Sequence, residues 1–461
     1  MVSAKLRAAG LNDEKLSTGV SILEERSFDW GTDPEQGTVP DVVVWPESTA
    51  DVVTIMETAS EHGIPVTPYA AGTSLEGNPV PAEGGICLDV SRMDSIVDVR
   101  PDDFQIDVQP GVFGSAVDEA VNDHGLFFPP LPSSGKISTI GGMVANDASG
   151  MQTVKYGEIH DWVLRIKAVL ADGTVVETGS RAAKTSSGYN LMDLLVGSEG
   201  TLGVMTEITL ELAGIPKQIH GGRVIFQDRT AASAAVSDVI QSGVDVAKIE
   251  LIDALSAEIT NAYLDADFPD APMMFVEFHA EHNIESEIEF FRSIVSEHGA
   301  VEIEISESEE GMAELWEIRE EMAEALEPYD PDLTPLTPGD VTVPMSQFAD
   351  LMAHIGTLED EHDLLIPCFG HAGDGNIHYT VMVDSDDPEA YERGKAVYNE
   401  IVRYAIEQGG TATGEHGIGV GKRELLSEEH TEGTVDLMQR VKHAFDPDDI
   451  LNPGKMFPEE S

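Results

Sequence analysis

Polar and apolar residues alternate along residues 376–383, which read Asn-Ile-His-Tyr-Thr-Val-Met-Val. The two-residue period predicts a β-strand whose side chains point to opposite faces in turn, so Asn376 and His378 are expected on the same face. A Gly-Asp-Gly turn precedes the strand, and glycine reaches backbone angles that are closed to other residues. The pattern therefore predicts a tight turn that folds the chain back toward His371.

The first half of the chain reads as short strands and helices separated by turns. A βα rhythm begins with a strand over residues 42–45, followed by a helix for which Ser48 or Thr49 is the cap candidate. Residues 161–169 and 174–178 form a predicted hairpin, because the Ala-Asp-Gly-Thr sequence between them is a strong turn signal.

After Pro216 the pattern changes to two strand–helix–strand units of similar length, over residues 223–251 and 273–305. A pair of such units predicts an antiparallel sheet with helices on one face. A chain of 461 residues exceeds a single hydrophobic core, so two or three domains are expected. The predicted fold class is therefore α+β, in more than one domain.

Four loops rich in glycine and other small residues interrupt the first half of the chain; they cover residues 68–78, 131–150, 184–191 and 196–204. In such a loop, backbone amides can face a phosphate without side chains between them. Each glycine alone is explained by an ordinary turn, but the set predicts a large, extended ligand that carries phosphate. No Gly-x-Gly-x-x-Gly sequence follows a strand, so a nicotinamide-binding Rossmann site is not indicated.

Two histidines and a glutamate in glycine-rich segments form a candidate metal site: His371, His378 and Glu415. A single histidine near a strand end is more often a structural residue, and that alternative applies to each histidine separately. Two histidines around Gly-Asp-Gly, with a Glu-His pair in a second glycine-rich segment, favour a divalent metal. Two imidazoles and one carboxylate leave coordination positions open, and zinc, manganese and iron(II) all accept this set. On this interpretation His416 is the base beside the metal.

The charge balance is extreme, with 85 Asp and Glu residues against 26 Lys and Arg residues and a net charge of −59. The acidic residues are spread over the whole length, which is typical of a surface adapted to high salt, where repulsion is screened. We therefore expect a halophile's cytoplasmic protein. Nucleic acid and anionic membranes are poor partners for such a surface.

Cysteine usage and hydropathy point to the same compartment. Cys87 and Cys368 stand far apart without a Cys-x-x-Cys pair, which excludes an iron–sulfur cluster held by this chain alone. No apolar run approaches about 18 residues, so no membrane span is expected. The N-terminal residues lack a signal-peptide core. A soluble cytoplasmic chain is predicted.

The chain resembles the FAD-linked oxidases of the vanillyl-alcohol-oxidase superfamily. The resemblance runs in order over residues 37–457; its motifs are residues 68–77, 141–150, 196–203, 371–378, 413–422 and 452–455. Within the superfamily the chain is similar to the branch of D-lactate dehydrogenase (cytochrome), the glycolate oxidase flavoprotein subunit and D-2-hydroxyglutarate dehydrogenase. The residues before the resemblance read as a leader, and the resemblance implies a two-subdomain PCMH-type FAD-binding domain, an α+β cap domain with an antiparallel sheet, and a C-terminal segment that returns to the FAD domain. In this chain these parts correspond to residues 1–36, 37–214, 215–440 and 441–461.

The resemblance also implies which residues bind FAD. They are Gly72, Thr73, Ser74 and Gly77 in the first loop, Pro132, Ser133, Gly142, Ala145, Ser149 and Gly150 in the second, Glu199, Gly203 and Val204 near the adenosine half, and Asn452 near the flavin ring. Some relatives attach FAD covalently through a histidine in the first loop. Thr73 stands at that position here, so non-covalent FAD is expected.

In the related enzymes two histidines and a glutamate hold a divalent metal above the flavin, which matches His371, His378 and Glu415. The histidine after that glutamate is the catalytic base, which matches His416. An arginine that follows a tryptophan by three residues receives the substrate carboxylate, which matches Arg319. A surface arginine paired with a neighbouring glutamate remains the alternative for that residue.

The implied reaction oxidises a D-2-hydroxy acid to the 2-oxo acid, with hydride transfer to flavin N5 and electrons passed to an external cytochrome, quinone or electron-transfer protein. The 2-hydroxyglutarate branch has a lysine just before the Asp-x-x-x-Pro strand, where this chain has Thr-Pro-Gly at residues 337–339. A monocarboxylate such as D-lactate is therefore favoured over a dicarboxylate. A glycolate oxidase FAD subunit, a D-2-hydroxyglutarate dehydrogenase-like enzyme and a non-catalytic flavin- or metal-binding module remain open. Assembly as a homodimer or with an iron–sulfur partner subunit also remains open.

Overall fold

The computed structural model describes residues 2–35, 37–264, 266–306, 309–322, 324–326 and 329–458. Its helices are α1 Val2–Ala8, α2 Val20–Glu24, α3 Thr49–His62, α4 Gly114–Val121, α5 Ile140–Asn146, α6 Thr153–Tyr156, α7 Met192–Leu195, α8 Arg229–Gln241, α9 Ala254–Leu264, α10 Ile284–Glu297, α11 Glu309–Glu321, α12 Phe348–His362, α13 Pro388–Glu407, α14 Arg423–Glu429 and α15 Glu432–Phe445. Its strands are β1 Leu16–Ser17, β2 Val42–Val44, β3 Val66–Tyr69, β4 Ile86–Asp89, β5 Ile96–Arg100, β6 Gln105–Val108, β7 Leu126–Phe127, β8 Val163–Val169, β9 Val175–Gly179, β10 Val204–Glu211, β11 Ala213–Gly214, β12 Gln218–Ile225, β13 Lys248–Ile252, β14 Met273–Ala280, β15 Glu302–Ser306, β16 Thr334–Pro335, β17 Gly339–Thr342, β18 Cys368–Gly370, β19 Asn376–Tyr379 and β20 Met382–Val383.

The chain divides into two compact units. Unit 1 consists of Met1–Ser149, Glu158–Ile215 and Glu415–Ser461, and unit 2 consists of Gly150–Gly157 and Pro216–Gly414. Within the part of the chain that the structure describes, no helix combines the length and the apolar character needed to cross a membrane.

Unit 1 contains a four-stranded sheet in the order β1-β2-β4-β3 and a five-stranded antiparallel sheet in the order β5-β6-β10-β8-β9. In the first sheet β2 and β3 both run parallel to β4, as the βα rhythm predicts. Ser48 is the N-cap of α3, since its hydroxyl accepts the Asp51 N–H. The hairpin prediction is also confirmed, because β8 pairs with β9 and Gly173 takes a φ of 86° in the turn.

The N-terminal leader is an integral part of unit 1. Strand β1 pairs with β2, and Leu6 of α1 is fully buried in the same core as α3. Further along, the Trp30 N–H donates to the Gly72 carbonyl and the Gly31 N–H donates to the Ser74 carbonyl. The leader therefore supports the first glycine-rich loop, a role that its sequence did not reveal.

Unit 2 is built on a seven-stranded antiparallel sheet in the order β15-β12-β14-β13-β18-β19-β17. The two strand–helix–strand units seen in the sequence supply its first four strands, so the predicted antiparallel sheet and the α+β class are confirmed. Helix α10 packs on one face, where Phe291 contacts Phe278 edge to face. Helix α11 packs on the opposite face, where Trp316 contacts Phe275, so the prediction that the helices lie on one face only is wrong. The face beneath α11 carries the polar side chains of the site.

The strand predicted over residues 376–383 is interrupted. Strand β19 ends at Tyr379, and β20 pairs with β16 instead of continuing along β17. On the other side both pieces stay bonded to the segment that leads into β18, because the Thr380 N–H donates to the Pro367 carbonyl and the Met382 N–H donates to the Leu365 carbonyl. The predicted strand is therefore interrupted only where its neighbour changes from β17 to β16.

The C-terminal part of the chain also divides differently from the sequence-based assignment. Residues 415–440 were assigned to the cap domain, whereas the structure places them in unit 1 with the rest of the C-terminal segment. The physical reason is the buried carboxylate of Glu199, which accepts the Ile418 and Gly419 N–H groups. These hydrogen bonds hold the start of the segment to a loop of unit 1.

Candidate active site

Unit 2 gathers a polar cluster on the sheet face beneath α11. Its members are Glu250 on β13, Asp340 on β17, His371 directly after β18, and Asn376 and His378 on β19. The register places His378 opposite Asp340, while the His371 and His378 rings lie edge to face with their centroids 5.2 Å apart. The turn between the two histidines needs Gly375, whose φ is 84° and whose Cβ, if present, would lie 2.2 Å from the Val343 carbonyl oxygen. The predicted tight turn and its pair of histidines are thus confirmed.

Glu250, like Asp340, is a charged member of this cluster with no exposed surface. Its Oε1 lies 2.6 Å from His371 Nδ1, and its Oε2 accepts the Arg319 Nε–H at 2.7 Å. Burial by itself raises the pKa of Glu250, but the charges of Arg319 and His371 outweigh burial and lower it to about 2. Glu250 is therefore an ionised acceptor for both neighbours.

Arg319 lies on α11 one turn after Trp316, and 4% of its surface is exposed. Its guanidinium packs over the Phe369 ring at 4.8 Å and pairs with Glu250. The alternative of a surface arginine paired with a neighbouring glutamate on the same helix is therefore wrong. The structure instead places this cation inside the polar cluster.

Asp340 joins the cluster to the end of unit 2. Its Oδ1 accepts the Asn376 Nδ2–H at 2.7 Å, and its Oδ2 accepts the Thr413 hydroxyl at 3.0 Å. Asn376 and His378 both approach Asp340, at 2.7 and 3.8 Å, which confirms that they share one face. The Gly414 N–H donates to the Asp340 carbonyl, and Glu415 is the next residue in the chain.

In unit 1, Glu415 and His416 belong to a segment that is fixed on both sides. The Glu415 Oε2 accepts the Ser149 hydroxyl at 3.0 Å, and its backbone carbonyl accepts Asn146 Nδ2–H at 2.8 Å. The Ile418 and Gly419 N–H groups are held by Glu199, as described above. Two residues predicted for different roles, Ser149 and Glu415, are thus brought into direct contact.

Glu199 and Asn452, both predicted to lie along FAD, form a buried hub of unit 1. Glu199 Oε2 accepts Asn78 Nδ2–H at 2.6 Å, and burial raises the pKa of Glu199 despite its hydrogen bonds. Asn452 Nδ2 donates to the carbonyls of Asn78 and Glu199, and Asn452 Oδ1 accepts from Lys455. These side chains hold three segments of the predicted FAD site together.

The first glycine-rich loop is shaped by a buried carboxylate from the leader. Asp29 Oδ2 accepts the Ser74 hydroxyl and the Gly77 N–H, at 2.9 and 2.8 Å, while its Oδ1 accepts the Thr32 hydroxyl at 2.6 Å. Gly72 and Gly77 take φ values of 70° and 73°, which other residues rarely adopt. The loop conformation therefore depends both on its glycines and on Asp29.

All of the remaining predicted FAD residues except Gly150 lie in unit 1. Thr73 lies 3.0 Å from the Ser138 hydroxyl, and a cavity of about 200 Å³ is lined by Ala70, Ala71, Phe113 and Thr139 among others. Gly142 is exposed, Pro132, Ser133 and Ala145 are half-buried, and Gly203 and Val204 are buried. Gly150 falls in unit 2. Gly142 presents exposed backbone, as a loop that faces a phosphate requires, whereas Gly72 is packed against Tyr69, whose hydroxyl would lie 2.1 Å from a Cβ.

Sequence reasoning missed Glu250, Asp340 and Asp29 as members of the site. A signal was present for the first two, because Glu250 stands between Ile249 and Leu251 and Asp340 stands directly before Val341, in short segments predicted to be buried strands. Asp29 stands between Phe28 and Trp30 in a segment with neither helix nor strand periodicity, so it carried no such signal.

Comparison with solved structures defines the class. The fold matches 4-ethylphenol oxidase from Gulosibacter chungangensis with a TM-score of 0.76 over 99% of this chain and 97% of that chain, at 17% identity. It matches p-cresol methylhydroxylase with a TM-score of 0.79 over 99% and 96% of the two chains, at 16% identity. At these identities the likeness shows the fold, which is that of the PCMH-type flavoproteins.

The chain belongs to the FAD-linked oxidases. The family described as "FAD linked oxidases, C-terminal domain" matches residues 215–456, and "FAD binding domain" matches residues 40–179. Glycolate oxidase subunit GlcD of Bacillus subtilis is 36% identical over 437 residues, covering 94% of this chain and 92% of the relative. D-lactate dehydrogenase [cytochrome], mitochondrial, of Arabidopsis thaliana is 36% identical over 422 residues, covering 91% and 74%. The family predicted from the motifs is confirmed, and the chain is an FAD-dependent oxidoreductase.

Proposed function

We propose that the chain oxidises D-2-hydroxy acids, with D-lactate as the first candidate, using FAD and one divalent metal and passing electrons to an external acceptor. The observation that carries the proposal is the pairing of Arg319 and His371 on the single carboxylate of Glu250. It joins a cation suited to a substrate carboxylate to an imidazole suited to a metal. The relatives named above support the same reaction class.

The metal would be held by His371, His378 and Glu415. Because the Glu250 carboxylate accepts from His371 Nδ1, Nε2 is the nitrogen of that ring that would bind the ion. Glu415 is placed in the set because it directly follows Gly414, which is hydrogen bonded to Asp340 on the strand beside His378. A divalent metal, when bound, acts as a Lewis acid that lowers the pKa of a coordinated hydroxyl. Zinc, manganese and iron(II) all suit two imidazoles and a carboxylate.

The chain's own residues bind the substrate and take its proton. The Arg319 guanidinium has five N–H donors, of which Glu250 engages the Nε side, so it can also receive a substrate carboxylate. His416 takes the hydroxyl proton, a role that suits an imidazole near neutral pH. Non-covalently bound FAD supplies the acceptor for the Cα hydride, so that the 2-hydroxy acid leaves as the 2-oxo acid.

A monocarboxylate substrate is favoured by the first residue of β17 and the two residues before it. Residues 337–339 carry no cation, and Gly339 is packed so closely that a Cβ would lie 2.2 Å from the Tyr379 ring. A residue with a side chain cannot replace Gly339 unless the Tyr379 ring moves. A second substrate carboxylate would therefore find no cationic partner in this segment.

Anaerobic bleaching of the FAD absorbance tests the proposal. D-lactate, glycolate and D-2-hydroxyglutarate are mixed with the metal-loaded protein, and D-lactate is expected to bleach fastest. His416→Ala should retain FAD and metal but lose most turnover, whereas the exposed His124→Ala serves as the matched control. Near-normal turnover by His416→Ala would contradict the role of His416 as the base. If none of the three acids bleaches the FAD, a non-catalytic flavin- or metal-binding module is favoured instead.

A glycolate oxidase subunit is the second candidate, because the GlcD relative is matched over nearly the whole length of both chains. It predicts faster bleaching by glycolate and co-purification of a subunit with iron–sulfur clusters. The cytoplasmic location, the adaptation of the surface to high salt and the oligomeric state stay predictions. Sedimentation and salt titration of the purified protein measure the last two.

A further inference from the structure

Each of the two carboxylate oxygens of Glu250 contacts a different functional residue. Oε1 lies 2.6 Å from His371 Nδ1, and Oε2 lies 2.7 Å from Arg319 Nε and 2.5 Å from Nη2. These partners come from different elements, one from the turn after β18 and the other from α11. A single rigid group on β13 therefore sets the position of both.

The geometry points to Glu250 as a positioning residue that fixes, at once, the metal-binding orientation of His371 and the carboxylate-binding orientation of Arg319. This inference rests on the function proposed above and extends it from the reacting groups to the residue that aligns them. It assigns Glu250 no direct contact with substrate or metal.

The donor and acceptor inventory explains why a glutamate is needed. An ionised carboxylate only accepts, so the ring nitrogen of His371 that faces it must be the donor, and the tautomer of His371 is thereby fixed. Arg319 can only donate. Glutamine has the same shape but one acceptor and one donor, so while its oxygen accepts from Arg319 its amide can only donate to His371 Nδ1, which moves the ring proton to Nε2, the nitrogen needed for the metal.

A neighbouring carboxylate provides a matched control. Glu277 lies on the next strand, β14, and is 5% exposed. It accepts Trp316 Nε1–H at 2.6 Å and pairs with Lys248 and His279, so it holds the same helix α11 without contacting His371. A change at Glu277 perturbs the docking of α11 but not the metal-binding imidazole.

The experiment measures metal affinity without turnover. FAD-loaded protein is stripped of metal with a chelator and titrated with Mn²⁺, while the electron paramagnetic resonance signal of free Mn²⁺ is recorded. Glu250→Gln is expected to bind Mn²⁺ about 10- to 100-fold more weakly, the range typical of lost partners of metal-bound histidines. Glu277→Gln should bind Mn²⁺ within about twofold of the wild type, as expected of an independent site.

A second readout separates positioning from general damage. Glu250→Gln should raise the KM for D-lactate while its FAD content stays equal to that of the wild type. If Glu250→Gln does not fold, Glu250→Asp gives the same test, because a side chain shorter by one methylene reaches only one of the two partners.

The outcomes distinguish this inference from the proposed function. A wild type that binds no Mn²⁺ contradicts the metal part of that function. A wild type that binds Mn²⁺ and oxidises D-lactate, together with Glu250 variants that titrate like it, overturns the positioning role alone. Equal weakening by Glu250→Gln and Glu277→Gln also overturns it, because the effect would then come from α11.

Discussion

Replacing Asp29 by Ala tests whether the N-terminal leader determines the shape of the first glycine-rich loop. Asp29 is 3% exposed and accepts three hydrogen bonds, from the hydroxyls of Thr32 and Ser74 and from the Gly77 N–H. The two hydroxyls can rotate toward other acceptors after the change. The Gly77 N–H is fixed by the backbone and cannot.

The magnitude follows from the group that is left without an acceptor. An unsatisfied buried donor costs about 1–3 kcal/mol, and each hydrogen bond to a charged group contributes about 1.5–3 kcal/mol. Burial raises the pKa of Asp29, which means that the buried charge itself is unfavourable. Removing the charge therefore offsets part of the lost hydrogen-bond free energy. We expect Asp29→Ala to lower the unfolding free energy by roughly 2–4 kcal/mol. Asp29→Asn should lose less than about 1 kcal/mol, because its amide can donate to Thr32 while its oxygen accepts from Gly77.

Urea unfolding at high salt and FAD release provide the assay. Asp29→Ala should shift the unfolding midpoint down and release FAD more readily, whereas Glu24→Ala, an exposed acid of the same leader, should change neither. The pKa of Asp29 is raised in the folded protein, so its contribution to stability falls as pH rises above its ordinary value. The unfolding free energy of Asp29→Asn should therefore increase relative to that of the wild type as the pH rises. A midpoint for Asp29→Ala equal to that of the wild type would refute the reasoning.

Three further predictions concern charge. Lys422→Met should destabilise unit 1 by about 3–5 kcal/mol in urea unfolding, because Lys422 and Glu76 form an ion pair at 2% exposure, and adding Glu76→Gln should recover part of the loss. Glu277→Gln should cost about 3 kcal/mol near neutral pH. Although burial opposes it, the pKa of Glu277 is lowered to about 2 by its hydrogen bonds and by Lys248, so this loss should shrink as pH falls from 4.5 toward 2. Lowering KCl from molar to about 0.1 M should lower the thermal midpoint, because the screening of the −59 net charge weakens, and an unchanged midpoint would contradict a high-salt surface.

The parts of the fold that the sequence predicted are those encoded by local patterns. The hairpin of β8 and β9 follows from a four-residue turn, and the N-cap of α3 follows from a serine before a periodic stretch. The antiparallel sheet of unit 2 follows from two strand–helix–strand units of similar length. In each case the residues that decide the structure are neighbours along the chain.

The parts that the sequence did not predict depend on partners far apart in the chain. Asp29 meets Gly77 across 48 residues, and Ile418 meets Glu199 across 219 residues. No periodicity marks either contact. The hydrogen bonds of two buried carboxylates, Asp29 and Glu199, therefore decide where the leader and residues 415–440 belong.

The polar face of the unit 2 sheet shows how far a local pattern can reach. All the residues of β13 are at least half-buried, yet Lys248 and Glu250 stand at alternate positions, one on each side of Ile249. A buried charge is tolerated only when it is paired and hydrogen bonded, so this alternation alone requires cationic and anionic partners on one face. The pattern thus identifies the face, but not the partners. His371, which pairs with Glu250, lies 121 residues further along, and only the order β13-β18-β19-β17 brings the two together.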